Sequence, residues 1–224
     1  MIYEYLIFNI IIISGPLFLF FWRRDNIIRP SIKPLVISIF WVFIFFVIWD
    51  QLVVNYFWFF NSKYILGLFL LNLPVEEVLF FITVPFSCLF LWVNYKKLFK
   101  EKNISNFSSY LMFFTFILAV LLLFYGKIYS SSVLLVFFAV IILDLFLKSH
   151  FFLKKSFIFF IFLITNGLTF IFNLYLTARP IVIYSELVKT NINIVTIPVE
   201  DFIFGMALVS LAVIIYEKNL LKRG

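Results

Sequence analysis

The sequence predicts an all-α integral membrane protein of about seven transmembrane helices, arranged as two parallel three-helix repeats plus a linker helix. Three observations carry that expectation. The 224 residues are 65% hydrophobic and 23% aromatic with only 13% charged, and mean hydropathy is +1.14, whereas soluble domains sit near roughly half apolar and a quarter charged. Lys and Arg gather in alternate connectors between apolar runs. An acidic motif, Leu73-Pro74-Val75-Glu76-Glu77, returns as Ile197-Pro198-Val199-Glu200-Asp201, 124 residues later (198 − 74).

A helix needs about 20 apolar residues to cross the hydrocarbon core. The candidates are 2–22, 34–54, 74–95, 108–126, 131–148, 155–176 and 198–216. Within one membrane domain the first repeat is read at 1–95, a linker with the fourth helix at 96–130, the second repeat at 131–216 and a cytoplasmic tail at 217–224. The first run has no Lys or Arg before it and no small-residue cleavage site, so it reads as a permanent span rather than a signal peptide.

The connectors supply an independent check. Arg23, Arg24, Arg29 and Lys33 follow the first span, and Lys96, Lys97, Lys100 and Lys102 the third. Lys148, Lys154 and Lys155 follow the fifth, and Lys218, Lys222 and Arg223 the seventh, which makes 14 on one side of the membrane. Lys63, Lys127, Arg179 and Lys189 make 4 on the other. The positive-inside rule then puts the N-terminus outside and the C-terminus in the cytoplasm. The net charge of +7 is accounted for by these connectors, so nucleic acid is not an expected partner. Cys88, the only cysteine, lies in an apolar run with no metal-spaced partners and reads as a packing residue.

Both acidic motifs fall at the outer ends of their spans, after the longer connectors 55–73 and 177–197. Ionisable groups at membrane depth are costly and mark function by default. In each motif the proline is expected at the first helical position, where its missing N–H costs nothing, with Glu76 and Glu200 in the first turn and Glu77 and Asp201 beside them. Neighbouring helical positions diverge by about 100°, so the two acids of one motif cannot aim at the same point. The bland alternative, that first-turn acids only complement the helix dipole, explains one copy more easily than two in register. Parallel repeats related by an axis along the membrane normal place sites at the repeat interface, and Glu76 and Glu200 are expected to border one shared, aromatic-lined cleft there.

Asp50 is a third acid near the outer end of a span, with Asn173 one residue from the matching position in the second half (173 − 124 = 49). Either could instead be a packing hydrogen bond between helices. Asp144 is expected to form a surface ion pair with Lys148 four residues on, and His150, in the same cytoplasmic connector, has no expected role in catalysis. Of 35 Phe, 11 Tyr and 5 Trp, most must face lipid or pack. Aromatic faces attract a cation most strongly where water is absent, though the count does not say which rings do so; the residues put forward to line a substrate cleft are Trp49, Trp58, Phe80, Phe81, Asn173, Tyr184 and Phe204. The chain has no dinucleotide fingerprint, no P-loop, no His cluster and no D-D-x-x-D-like run for magnesium and a diphosphate. Acid chemistry without a cofactor or metal is the expectation.

Trp49-Asp50, Trp58-Phe59-Phe60-Asn61, Tyr64, Gly67 and Leu73-Pro74-Val75-Glu76-Glu77-Val78-Leu79-Phe80-Phe81, with Pro85 and Phe90, resemble the first half of the membrane-integral lycopene β-cyclase domain family. Asn173, Leu176-Thr177, Tyr184 and Thr196-Ile197-Pro198-Val199-Glu200-Asp201 resemble its second half, so the resemblance covers nearly the whole chain in the fused form of a heterodimeric-type cyclase. Leu174, Val93 and Asn193 depart from the family pattern. The resemblance implies an intramolecular lyase or isomerase in carotenoid biosynthesis that closes the linear ends of lycopene, or a similar apolar polyene, into β-ionone rings. Glu76, Glu77, Glu200, Asp201 and Asp50 are then the acids available for protonating a double bond and removing a ring proton. Two other readings remain open at this stage. A small proton-coupled transporter or lipid carrier would also use paired intramembrane acids, although six glycines are few for broken transporter helices. A related carotenoid or prenyl-lipid enzyme with a different product would keep the fold.

Overall fold

A computed structural model describes residues 3–22, 26–99, 102–104 and 106–221. Arg23, Arg24, Lys100, Lys222 and Arg223 of the charge count lie outside them. Seven helices among the described residues are long and apolar enough to cross a membrane. They are α1 (Glu4–Phe21), α2 (Ile32–Val53), α3 (Val75–Tyr95), α4 (Phe107–Phe124), α5 (Ile128–Phe146), α6 (Lys155–Ala178) and α7 (Val199–Leu221).

Two helix ends differ from the sequence expectation, each for a polar reason. Gly126, at φ +73°, turns the chain tightly out of α4, and α5 starts at Ile128, taking in Ser130 of the expected connector, whose hydroxyl donates to the buried Glu200. Next to it Ser131 Oγ donates to the Ala119 carbonyl at 2.7 Å. At the other end α7 runs to Leu221 rather than giving way to a tail at 217. Its buried Glu217 accepts from Trp92 Nε1 at 2.8 Å and pairs with Lys96, so the charged last turn is satisfied within the protein. Asp144 is likewise not a surface ion-pair residue. It is fully buried, and its two oxygens accept from the backbone N–H groups of Phe151 and Phe152, each at 3.0 Å.

The connectors at the acidic end are not purely irregular. Six short strands form there: β1 (Trp58–Phe60), β2 (Phe69–Leu70), β3 (Leu73–Pro74), β4 (Val182–Tyr184), β5 (Asn193–Ile194) and β6 (Ile197–Pro198). β2 pairs with β3 and β5 with β6 as antiparallel hairpins, and β1 pairs with β4 antiparallel across the two halves. In that cross-pair Phe59 stands opposite Ile183, and these two are separated by the repeat spacing itself (183 − 59 = 124). A pseudo-twofold axis therefore passes through the centre of the β1–β4 pair.

The repeat extends to backbone detail. Leu71 and Val195 take positive φ, 56° and 61°, at matching hairpin positions, as do Gly67 (76°) and Asn191 (64°). The left-handed region is rare for a β-branched residue such as Val195, so its recurrence marks a conserved turn geometry between the halves. Val75 N–H donates to the Leu68 carbonyl at 2.9 Å, and Val199 N–H to that of Ile192 at 3.0 Å. Each proline sits one place earlier than expected: Pro74 is the N-cap of α3, at φ −59° and ψ 146°, and Pro198 ends β6 before α7 begins. The extended ψ lets the same residue finish a strand pair and open a helix.

α3 and α7 form the centre. α1 packs on α3, α5 on α7, α2 on both, and α4 on the outside of α5. Lipid is as apolar as a Leu side chain, so close packing and interhelical hydrogen bonds hold such a bundle, each bond contributing about 0.6 kcal/mol. Ser38 Oγ ties α2 to the Ala212 carbonyl of α7 at 2.6 Å, and Ser87 Oγ ties α3 to the Ile12 carbonyl of α1 at 3.0 Å. α6 behaves differently from its counterpart α2. Its middle, Phe160–Thr165, is a π-helical turn, a feature that tends to occur at functional sites, and it packs on α7 without the broad contact to α3 that α2 makes.

Candidate active site

Each motif divides its two acids between two tasks, as the 100° divergence of neighbouring helical positions requires. Glu76 and Glu200 turn toward their own connectors. Glu76 Oε1 accepts from the Leu66 N–H at 2.6 Å. Glu200 Oε1 accepts from the Thr190 N–H at 2.8 Å, from the Thr190 hydroxyl at 2.7 Å and from the Ser130 hydroxyl. Both glutamates are buried, and neither lines the cavities described below. The geometric expectation that Glu76 and Glu200 border one cleft is thus corrected by one residue in each half: the residues on the shared face are Glu77 and Asp201.

Asp50 from α2, Glu77 from α3 and Asp201 from α7 converge on a pocket of about 60 Å3 beneath the β1–β4 pair. Glu77 accepts a hydrogen bond from the Tyr5 hydroxyl, and Asp50 lines the same pocket with its buried Oδ1 unpartnered. Two carboxyl groups can share a hydrogen bond only with a proton on one of them, because an ionised carboxylate only accepts. Asp201 accepts from Tyr184 Oη at 2.8 Å, Asn173 Nδ2 at 3.0 Å and Tyr129 Oη at 3.2 Å. Tyr184 lies in the connector, where burial and then the neighbouring Asp201 carboxyl push its phenol well above the ordinary range. It is therefore held as a donor.

Aromatic rings wall this pocket. Trp58 and Tyr129 stand 5.6 Å apart edge to face, and Tyr129 and Tyr184 stack at 6.0 Å. Tyr5 and Phe60, the counterparts of Tyr129 and Tyr184, stack in the same way at 6.3 Å. Below the pocket lies a second cavity of about 390 Å3 between α1, α3, α6 and α7. Phe80, Asn173, Asp201 and Phe204 line both. The larger space is within the 300–1,000 Å3 usual for preformed ligand sites, and apart from Asn173 and Asp201 and small polar side chains such as Ser87 and Thr169 its walls are apolar. Cys88 forms part of that wall as well as packing. At the acidic end α1 and α6 are clamped together: Glu4 pairs with Arg179 at 2.6 Å, and Phe8 stacks on Tyr175 at 6.0 Å.

Of the residues put forward to line a cleft, Trp58, Phe80, Asn173, Tyr184 and Phe204 line the acidic pocket, and Trp49 and Phe81 line neither cavity. Trp49 lines the groove on α2 with Trp41 and Phe45 while packing inward against the core, its indole N–H buried without a partner, and Phe81 is buried in the core against Phe46. Sequence reasoning missed Tyr5 and Tyr129, although the repeat spacing relates them (129 − 5 = 124) and each donates to the acid of its own half. Among the described residues no group of three His, Cys, Asp or Glu side chains is arranged to hold a metal ion.

The family profile described as Lycopene cyclase matches residues 3–93 and 126–218. Those two stretches are the halves related by the repeat and make up most of the chain. No curated protein and no solved structure matches it. The chain therefore belongs to the lycopene cyclase family, as a multi-pass membrane enzyme of carotenoid cyclisation whose substrate is an apolar carotenoid.

Proposed function

We propose that the protein closes β-ionone rings at the linear ends of lycopene or a similar acyclic carotenoid, with Glu77 as proton donor and Asp201 as the base. The observation that carries this reading is the convergence of three carboxyls on an aromatic-walled pocket that adjoins a largely apolar cavity. A pocket of about 60 Å3 has room for only about two water-sized groups, so the tip of the polyene enters it while the rest of the end group sits in the larger cavity. Glu77 is then beside the terminal double bond. Its proton adds there and leaves a tertiary cation. The next double bond attacks that carbon, the six-membered ring closes, and the charge passes to a ring carbon nearer the cavity, where Asp201 removes the adjacent proton. One proton is gained and one lost, so the reaction is an isomerisation with no change of oxidation state.

The residues around the pair fit these roles. Asp50 shares a proton with Glu77 and positions it. Three donors on Asp201 leave it the acceptor of the site, a division of labour between carboxyls that differing environments produce. The rings of Trp58, Tyr129, Phe80 and Phe204 border the space where the cation forms, and a desolvated cation over an aromatic face gains about 2 kcal/mol. Glu76 and Glu200 act at one remove by pinning the connectors 55–73 and 177–197 as a lid that excludes water. The charge split of 14 to 4 supports a lid on the outer side, with the N-terminus outside and the C-terminus cytoplasmic. Expression in cells that accumulate lycopene, followed by separation of the pigments, tests the reading: β-ringed carotenoid should appear, and unchanged lycopene would contradict it.

A further inference from the structure

The acidic pocket lies near the pseudo-twofold axis, yet among the described residues the cavity that adjoins it lies to one side, between α1, α3, α6 and α7. Its symmetry-related place would be bounded by α5, α7, α2 and α3. Three small residues of the first have large counterparts in the second. Gly205 corresponds to Phe81 (205 − 124), Ser87 to Leu211 (211 − 124) and Ser14 to Phe138 (138 − 124). Phe81 and Leu211 are both buried, so the matching space is filled. The helices agree with the side chains: α2 packs on both α3 and α7, whereas α6 leans on α7. Gly205 permits that lean, because a Cβ there would come within 2.7 Å of Thr169 Oγ1. Gly15 faces open space, with nothing within 4 Å of where its Cβ would be.

We infer that this one-sided cavity is the channel for the body of the polyene, so that the enzyme accepts one end group per encounter and releases a half-cyclised carotenoid into the bilayer before the second ring forms. The inference rests on the cyclase reading above. From Asp201 to Val209 the channel follows α7 for eight residues, about 12 Å at the helical rise of 1.5 Å per residue. That length holds the segment behind one reacting end and leaves the far end in lipid. A second ring requires the polyene to leave, turn end for end and enter the same channel, since among the described residues the matching place in the other half holds only a groove on α2, lined by Trp41, Ile44, Phe45, Ile48, Trp49 and Leu52, that shares no residue with the acidic pocket.

The test uses the full chain in liposomes with lycopene. With the unmodified protein, free monocyclic product should rise and then fall as the bicyclic one appears. Isotopically labelled monocycle formed early should be diluted on addition of excess unlabelled lycopene. Gly15→Phe, which fills the channel, should slow the first ring by about a hundredfold, the scale of loss when a substrate is displaced from its reacting position. Ala139→Phe, the matching change on the exposed face of α5, should leave the rate unchanged. Equal loss in both variants, full activity in Gly15→Phe, or labelled bicyclic product forming undiluted by the chase would overturn the one-sided channel. The chase does not depend on either variant folding. An unmodified protein that makes no ring at all would instead sink the cyclase reading itself.

Discussion

Glu77 and Asp201 occupy the same place in the two halves of the molecule. Each follows a glutamate that pins a connector, and each receives a phenol from a tyrosine at the start of the first helix of its own half, Tyr5 or Tyr129. Their remaining neighbours differ. Glu77 has Asp50, whose counterpart in the second half is Leu174 (174 − 50). Asp201 has Asn173 and Tyr184, whose counterparts are Trp49 and Phe60 (184 − 124). One half surrounds its acid with a second carboxyl, and the other surrounds it with neutral donors. The backbone repeat is kept where hairpins, caps and pinned connectors depend on it, while the side chains that decide where a proton resides have diverged. Cyclisation by proton addition and proton loss needs unlike groups, and a duplicated scaffold supplies them at a fixed separation.

That comparison can be broken most severely at Asp201. Asp201→Asn keeps the size of the side chain and removes the base, so ring formation should fall by about 10²–10⁴, the usual contribution of a general acid or base. Equal amounts of membrane-inserted protein should be verified alongside the pigments. A smaller effect is expected when the second half is made to resemble the first. Tyr184→Phe gives Asp201 the neighbour that Phe60 provides in the other half and deletes one hydrogen bond to a carboxylate. Such a bond is worth about 1.5–3 kcal/mol, or roughly ten- to a hundredfold in initial rate, measured in liposomes at saturating lycopene. The least effect belongs to the clamp. Glu4→Gln breaks the pairing of a buried Glu4 with a half-exposed Arg179; a pair open to water on its cationic side contributes little, and cyclisation should change by less than about fivefold.

The membrane part of the fold was readable because lipid leaves few options: every span must be an apolar helix, since no other open structure satisfies its own backbone there. The three strand pairs were not readable. Phe69–Leu70 and Leu73–Pro74 are too short to show any alternation, and β1 finds its partner in the other half of the chain. Within the site, Asp50, Glu77 and Asp201 stood out as acids inside spans. Their neighbours Glu76 and Glu200 stood out equally, and sequence cannot say which of two adjacent helical residues faces inward without the rotation of the helix. Tyr5 and Tyr129 were visible as a pair at the repeat spacing but not as partners of the acids. The one-sided cavity was the least legible feature, because Gly205 and Phe81 acquire meaning only once the halves are superimposed on a pseudo-twofold axis.

The central claim is that the inward acid of the first motif, rather than its neighbour, delivers the proton. Glu77→Gln and Glu76→Gln differ by one position, keep side-chain size and retain an amide oxygen that can accept the same hydrogen bonds. Both should be expressed in lycopene-accumulating cells, matched for membrane-inserted protein and scored for ringed pigment. The account predicts lycopene alone from Glu77→Gln and continued ring formation from Glu76→Gln. Ringed carotenoid from Glu77→Gln at the level of the unmodified protein, or its loss from Glu76→Gln alone, would contradict it.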